Sequence, residues 1–160
     1  MLSDLRELFR YRELLYNLVA RDIKARYKHS FLGFVWSLAN PLLQIAILTF
    51  AFKHVMHIKI PNYAPFLFVA FLPWVFFQTA LTDSSAAVLI NARIMRRVYF
   101  PREILPLTQV ASNLIHFLLA MVVLFGYLLI VPIDLHWPSL AYLPLIILLE
   151  TVMVAGLAMV

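Results

Sequence analysis

The sequence predicts an all-α integral membrane protein, with an amphipathic N-terminal helix followed by four transmembrane helices. Three observations predict it. Of the 160 residues, 64% are hydrophobic and 13% charged, with a mean hydropathy of +0.90; ordinary globular chains are near half apolar and a quarter charged. No Asp, Glu, Lys or Arg falls between Lys28 and Lys53, between Lys59 and Asp83, or between Glu103 and Asp134. Each gap exceeds the ~20 residues that a helix needs to cross ~30 Å of hydrocarbon. Finally, eleven of the thirteen Lys and Arg lie in two blocks, Arg6 to Lys28 and Arg93 to Arg102. This composition excludes a soluble enzyme, which needs far more polar surface. Helices rather than a barrel are expected, because backbone groups in lipid must be satisfied within the segment and no alternating pattern is present.

The first element covers residues 1–30. Asp4 and Glu7 read as a helix start. Arg6, Arg10, Glu13, Asn17, Arg21, Lys24 and Lys28 recur at steps of three or four along one face. Leu5, Leu8, Phe9, Leu15, Tyr16, Val19 and Ile23 occupy the opposite arc, with Arg12, Asp22 and Arg26 as exceptions. Such a strongly amphipathic basic helix beside a membrane is expected in the interface plane, its polar face open to a cytoplasmic partner. The first thirty residues hold seven basic and four acidic side chains and no apolar core segment, so no cleavable signal peptide is expected.

Spans follow at about 32–53, 62–84, 104–131 and 139–160. The intervening short loops, Lys53 to Pro61 and Pro132 to Pro138, hold two Lys between them. The positive-inside rule then puts the N-terminus and the Arg93 loop in the cytoplasm. Trp36, Trp74 and Trp137, with Tyr27, Tyr63 and Tyr99, fall mostly near the predicted span ends, as interfacial anchors should. Asn40-Pro41 and Leu72-Pro73 are expected to kink the first two spans. Glu150 lies about midway along the fourth. An intramembrane carboxylate is expensive in hydrocarbon, so it marks either a helix–helix hydrogen bond or a transport pathway. The chain stops at Val160 inside a hydrophobic run with no basic flank, which suggests a partial chain.

The 85–103 loop between the second and third spans carries Arg93, Ile94, Met95, Arg96 and Arg97, followed by Tyr99 and Pro101. Apolar knobs framed by Arg suit insertion into a partner's groove. Equally, three Arg can enforce topology and bind lipid headgroups. Neither cysteine chemistry nor a metal site is expected, since there is no Cys and the His residues are scattered.

At this point the residues resemble a known family. The run Arg21-Asp22-Ile23-Lys24-Ala25-Arg26-Tyr27-Lys28-His29-Ser30-Phe31-Leu32-Gly33-Phe34-Val35-Trp36, then Asn40-Pro41-Leu42, resembles the opening of ABC-2 type permeases. The branch most similar exports bacterial polysaccharides: O-antigen, capsule and teichoic acid. Asn91 to Arg97, continued by Val98-Tyr99-Phe100-Pro101-Arg102-Glu103-Ile104-Leu105-Pro106, resembles that branch's first cytoplasmic loop. The resemblance covers essentially the whole chain but only the first four of the family's six spans. It implies one ABC-2 type transmembrane domain over 1–160, lacking its C-terminal part.

The resemblance further implies that Asn91 to Tyr99 form a coupling helix contacting an ABC nucleotide-binding subunit through Asn91, Arg93, Ile94, Met95, Arg96, Arg97 and Tyr99. The N-terminal helix becomes the interface helix. ATP and magnesium belong on the partner subunit. The only Gly are Gly33, Gly126 and Gly156, so this chain has no GxxxxGK phosphate loop. Two permease copies and two ATPase subunits are implied, in the bacterial inner membrane, with a carrier-lipid-linked polysaccharide as substrate and no nucleic acid partner. Arg21, Lys24, Arg26 and Lys28 at the cytoplasmic mouth are candidates for attracting the carrier's headgroup, or serve topology alone. Phe34, Trp36, Tyr63, Phe66, Trp74, Phe76 and Phe77 are candidate pore aromatics, or packing residues. The alternatives are an ABC-2 drug or small-lipid exporter, and a membrane-embedded enzyme or anchor acting with carrier lipids.

Overall fold

The computed structural model describes residues 11–27, 39, 42–44, 46–52, 63–90, 101, 103–130 and 140–159, and all of their regular structure is helical. Four helices are bounded: α1, Arg12–Tyr27; α2, Tyr63–Ile90; α3, Ile104–Ile130; and α4, Leu143–Ala158. Residues 39, 42–44 and 46–52 are also helical within the predicted first span; Asn40-Pro41 and the other residues of that span lie outside the described residues. In α1, Glu13 sits in the first turn, with Lys24 and Arg26 in the last. Both placements complement the helix macrodipole. Helices α2, α3 and α4 each hold a Pro in their first turn, at Pro65, Pro106 and Pro144. A first-turn amide has no intrahelical acceptor, so Pro removes a donor that lipid could not satisfy.

Segments Pro65–Ala87 and Ile104–Leu129 are long and apolar enough to cross a membrane. At sixteen residues, α4 is shorter, about 24 Å at 1.5 Å per residue. Two features differ from expectation. The predicted second span ends at residue 84, but α2 continues to Ile90, so the first part of the 85–103 loop is helical. The Ser and Ala there keep their backbone bonded, and no Gly or Pro stops the helix. The helix also runs unbroken through Pro73. Trp74 is the second difference. It is not an interfacial anchor at a span end but lies near the middle of Pro65–Ala87, 58% exposed.

Packing centres on α2 and α3, which run antiparallel. Phe76 stacks on Phe117 at 5.2 Å between ring centroids, and Phe68 meets Tyr127 edge-on at 6.5 Å. Nearer the loop, the Ser84 hydroxyl donates to the Pro106 carbonyl at 3.2 Å. The buried stripe on α2 is Phe68, Leu72, Phe76, Ala80 and Ser84, a step of four throughout, which keeps one ridge facing its neighbour. On α3 the matching residues include Val110, Phe117, Met121, Leu124 and Leu128. Helix α4 packs on both of them through Val154, which is fully buried. Its remaining surface is apolar and bare, with Leu145, Leu148, Leu149, Val152 and Leu157 all exposed.

An exposed apolar surface of this kind suits lipid. Between helices in lipid no hydrophobic force remains, so close van der Waals packing must hold them together. The hydroxyls obey the same solvent. Thr79, Thr82, Ser85, Thr108 and Thr151 each donate to the carbonyl four residues earlier, at 2.7–2.8 Å, so no polar hydrogen faces hydrocarbon. Ser112 is an exception: its buried hydroxyl has no partner among the described residues.

Ala80 has no exposed surface at the centre of the α2–α3 seam. Replacing it by Leu is expected to destabilise the hairpin by about 1–3 kcal/mol through overpacking. The same change at exposed Ala70 is expected to have little effect. Thermal unfolding of the two variants in detergent distinguishes the sites.

Candidate functional site

Where α1 meets the α2–α3 hairpin, six polar side chains from three helices join. The Arg26 Nη2 donates to Asp83 Oδ2 at 2.7 Å, and its Nη1 donates to Asn113 Oδ1 at 3.2 Å. The Asn113 Nδ2 closes the triangle by donating to the same Asp83 oxygen at 3.0 Å. It also donates to the Gln109 carbonyl at 3.0 Å. One turn away, Gln109 Nε2 donates to Asp22 Oδ2 at 2.6 Å. The other Asp22 oxygen accepts from the neighbouring Arg21 at 3.1 Å.

Two guanidinium groups meet two carboxylates here, so the cluster is formally neutral. At a membrane boundary that balance is required, since an unpaired charge is costly there. Arg26 and Asp83 keep 36% and 37% of their side-chain surface exposed. A simple surface ion pair of that exposure contributes little. Asn113 changes this, because a third partner bonded to both members fixes their geometry. A hollow of about 250 Å3 opens beside the cluster, lined by Arg21, Asp22, Arg26, Asp83, Ala86, Ala87 and Gln109.

The pairing also sets alignment. Asp22 meets Gln109 and Arg26 meets Asn113, the same offset along both chains. The last turn of α1 therefore runs beside α3 in the same direction, tied to it by side-chain hydrogen bonds. Apolar and polar residues are segregated less cleanly on α1 than expected. Val19 of the apolar arc is buried, but Tyr16 is 72% exposed, and the docked face includes charged Asp22 and Arg26.

A second feature lies between α2 and α4. Trp74 and Phe77, stacked at 6.1 Å, line an open groove of about 610 Å3 with Leu149, Glu150 and Met153. Its lining is almost wholly apolar apart from Glu150, which sits near the middle of α4 and has no hydrogen-bond partner among the described residues.

The described residues thus give two helices long and apolar enough to cross a membrane, a basic N-terminal helix docked at their loop end and a third, shorter apolar helix. The sequence of the ABC-2 type transporter family matches this chain over residues 13–160. The chain belongs to the ABC-2 type transporter family. An O-antigen export system permease protein, RfbA, of Myxococcus xanthus is 40% identical over 121 residues, 76% of this chain and 46% of that protein. A Klebsiella pneumoniae protein of the same name is 36% identical over 151 residues, 92% of this chain and 57% of its own length. The chain thus spans about half the length of the relatives it matches. As a member of this family it is a membrane protein.

Within this ABC-2 domain the sequence-predicted residues fall in three places. Asn91, Arg93, Ile94, Met95, Arg96, Arg97 and Tyr99 lie outside the described residues, as do Lys28, Phe34 and Trp36. Of the basic residues, Arg26 and Arg21 are bonded as above, and Lys24 is exposed. Of the aromatics, Phe76 is buried against Phe117, Phe77 is half-buried, and Phe66 and Trp74 are exposed; Tyr63 begins α2.

Sequence reasoning did not single out Asp83, Gln109 or Asn113. The available signal was a pair of amides four residues apart in a charge-free span, opposite two charges that broke the pattern of α1. Removing either end of the Arg26–Asp83 pair is expected to be non-additive. A double-mutant cycle with Arg26→Ala and Asp83→Ala, read by unfolding in detergent, should give a coupling of about 1 kcal/mol, the upper end for partly exposed pairs. With Asn113→Ala in the background, that coupling should shrink.

Proposed function

We propose that this chain is part of the transmembrane subunit of an ABC exporter that moves a carrier-lipid-linked polysaccharide of the O-antigen kind across the bacterial inner membrane. ATP hydrolysis, with magnesium, takes place on a separate nucleotide-binding subunit, and two permease copies join two such subunits. The N-terminus is cytoplasmic. The observation that carries this reading is the extended similarity, over most of this chain, to proteins named for O-antigen export, within a family match that runs over residues 13–160.

The fold supports the same reading. Beyond Asp83, α2 runs a further seven residues to Ile90, about 10 Å at 1.5 Å per residue. Helix α3 begins nine residues before Asn113. The two form an arm that leads into the 91–100 segment, whose Arg93, Ile94, Met95, Arg96 and Arg97 contact the ATPase in this reading. Closure of the ATPase dimer moves that loop, and the loop moves the arm. Such transmission requires the loop to contact the two ATPase states with different free energies. At the cytoplasmic mouth, Lys24 and Lys28 attract the pyrophosphate of the carrier by charge-assisted contacts. Arg21 stands beside them. Trp74 and Phe77 offer aromatic faces along α2, and Glu150 is the one carboxylate lining their groove among the described residues.

The test uses the full-length permease co-expressed with its candidate ATPase subunit. The wild type should co-purify with the ATPase, and Ile94→Asp/Met95→Asp should lose it while remaining membrane-inserted. Retention of the ATPase by the double variant would sink the loop contact. For the substrate, cells lacking the permease should accumulate carrier-linked glycan on the cytoplasmic side. Restoration of surface glycan by the full-length protein supports glycan export, whereas unchanged surface glycan with altered drug efflux points to the drug-exporting branch.

A further inference from the structure

The polar cluster ties α1 to the two helices that frame the 91–100 segment, and to both at once. Asp83 belongs to α2, and Gln109 and Asn113 to α3. Arg26 reaches α2 and α3 with separate nitrogens of one planar group. A guanidinium fixed at two nitrogens has little rotational freedom left. The Asp22–Gln109 bond adds a second attachment one turn away, so α1 can neither pivot about Arg26 nor slide past α3 without breaking a bond.

The position of these contacts matters as much as their number. They lie at the base of the arm rather than at its tip, because α2 continues past Asp83 and α3 starts before Gln109. Force applied at the loop end of an arm is delivered at its base. A brace there carries the movement into α1, whereas a hinge there would dissipate it in bending.

We propose that Arg26 is a positioning residue: with Asp83, Asn113 and the Asp22–Gln109 pair it clasps α1 to the α2–α3 arm, so that the interface helix and the arm move as one rigid body. This deepens the function proposed above and rests on its reading of the 91–100 segment as the ATPase contact. The role assigned to Arg26 needs no contact with the ATPase or the glycan. It acts through the arm.

Two measurements on the full-length permease in complex with its ATPase test the clasp. The described chain has no Cys of its own, so spin labels can be placed at Asn17→Cys on α1 and Ser85→Cys on α2, both exposed. Any native Cys in the remainder of the full-length protein is replaced first. In the otherwise unaltered protein the inter-label distance should be narrow and equal in nucleotide-free and vanadate-trapped complexes. In Arg26→Ala it should broaden or change between states. A distance that shifts between states with Arg26 present overturns the rigid body, as does an equally narrow distribution without it.

The second measurement is glycan exported per ATP hydrolysed in proteoliposomes. Arg26→Ala should still co-purify with the ATPase yet export several-fold less glycan per ATP, and Arg26→Asp/Asp83→Arg should recover much of the loss. A merely stabilising contact would lower yield or melting temperature without moving that ratio. An unchanged ratio in Arg26→Ala overturns the positioning role. If Arg26→Ala does not fold, Asn113→Ala removes one corner of the triangle, and the same two outcomes decide. Failure of the underlying reading looks different: Ile94→Asp/Met95→Asp then keeps the ATPase, while the spin-label distances still report on the clasp.

Discussion

A charge near hydrocarbon must be neutralised, and every hydrogen bond nearby must be satisfied within the protein. Asp83 shows how far this constraint organises the molecule. Its carboxylate lies toward the loop end of a long apolar helix, with about a third of the side chain exposed. Arg26 supplies the opposite charge and Asn113 the second donor, and each comes from a different helix. Satisfying one carboxylate therefore fixes the relation of three helices. The rest of the hairpin builds outward from this point, first through Ser84 and Pro106, then through the Phe76–Phe117 stack deeper in the seam.

Within the seam, the forces differ from those of a soluble core. Lipid is as apolar as Leu, so burying a large side chain is favourable only through contact. This is why Ala80 and Ala120 matter beside Phe76 and Phe117: small residues admit the opposing aromatic rings. It also explains why α4 remains bare around most of its circumference while packing through Val154. A soluble helix with that surface would aggregate, whereas in a bilayer it is at rest. Glu150 departs from this pattern, since a carboxylate in that setting calls for a partner.

The second and third spans were legible in the sequence because a charge-free gap of more than ~20 apolar residues marks a stretch able to cross hydrocarbon. The third span matches α3 to within one residue, and the second starts within one residue of α2. Its end was misplaced because Asp83 resembles a boundary, while the helix beyond it consists of Ser, Ala and aliphatic residues that carry no stop signal. The family was legible in two extended motifs. The clasp was not, because its parts are ordinary alone: an Asp and an Arg that break the stripe of α1, and two amides in a span. Long-range pairing between Asp22 and Gln109 leaves no local pattern for periodicity to detect. Trp74 misled for a related reason, since an aromatic belt and a groove-lining ring are the same residue type until depth is known.

The shared offset of the two α1–α3 pairs makes the contact selective for one alignment. Slide α1 by one turn toward the loop, and Arg26 faces Gln109 while Asp22 faces buried Leu105, losing its donor. Slide it the other way, and Asp22 comes beside Asn113 and the like-charged Asp83, with Arg26 set against the buried ring of Phe117. Each neighbouring alignment keeps at most one amide contact and loses the Arg26–Asp83 pair, so the helix is keyed to its seat much as a notched shaft is keyed to a wheel.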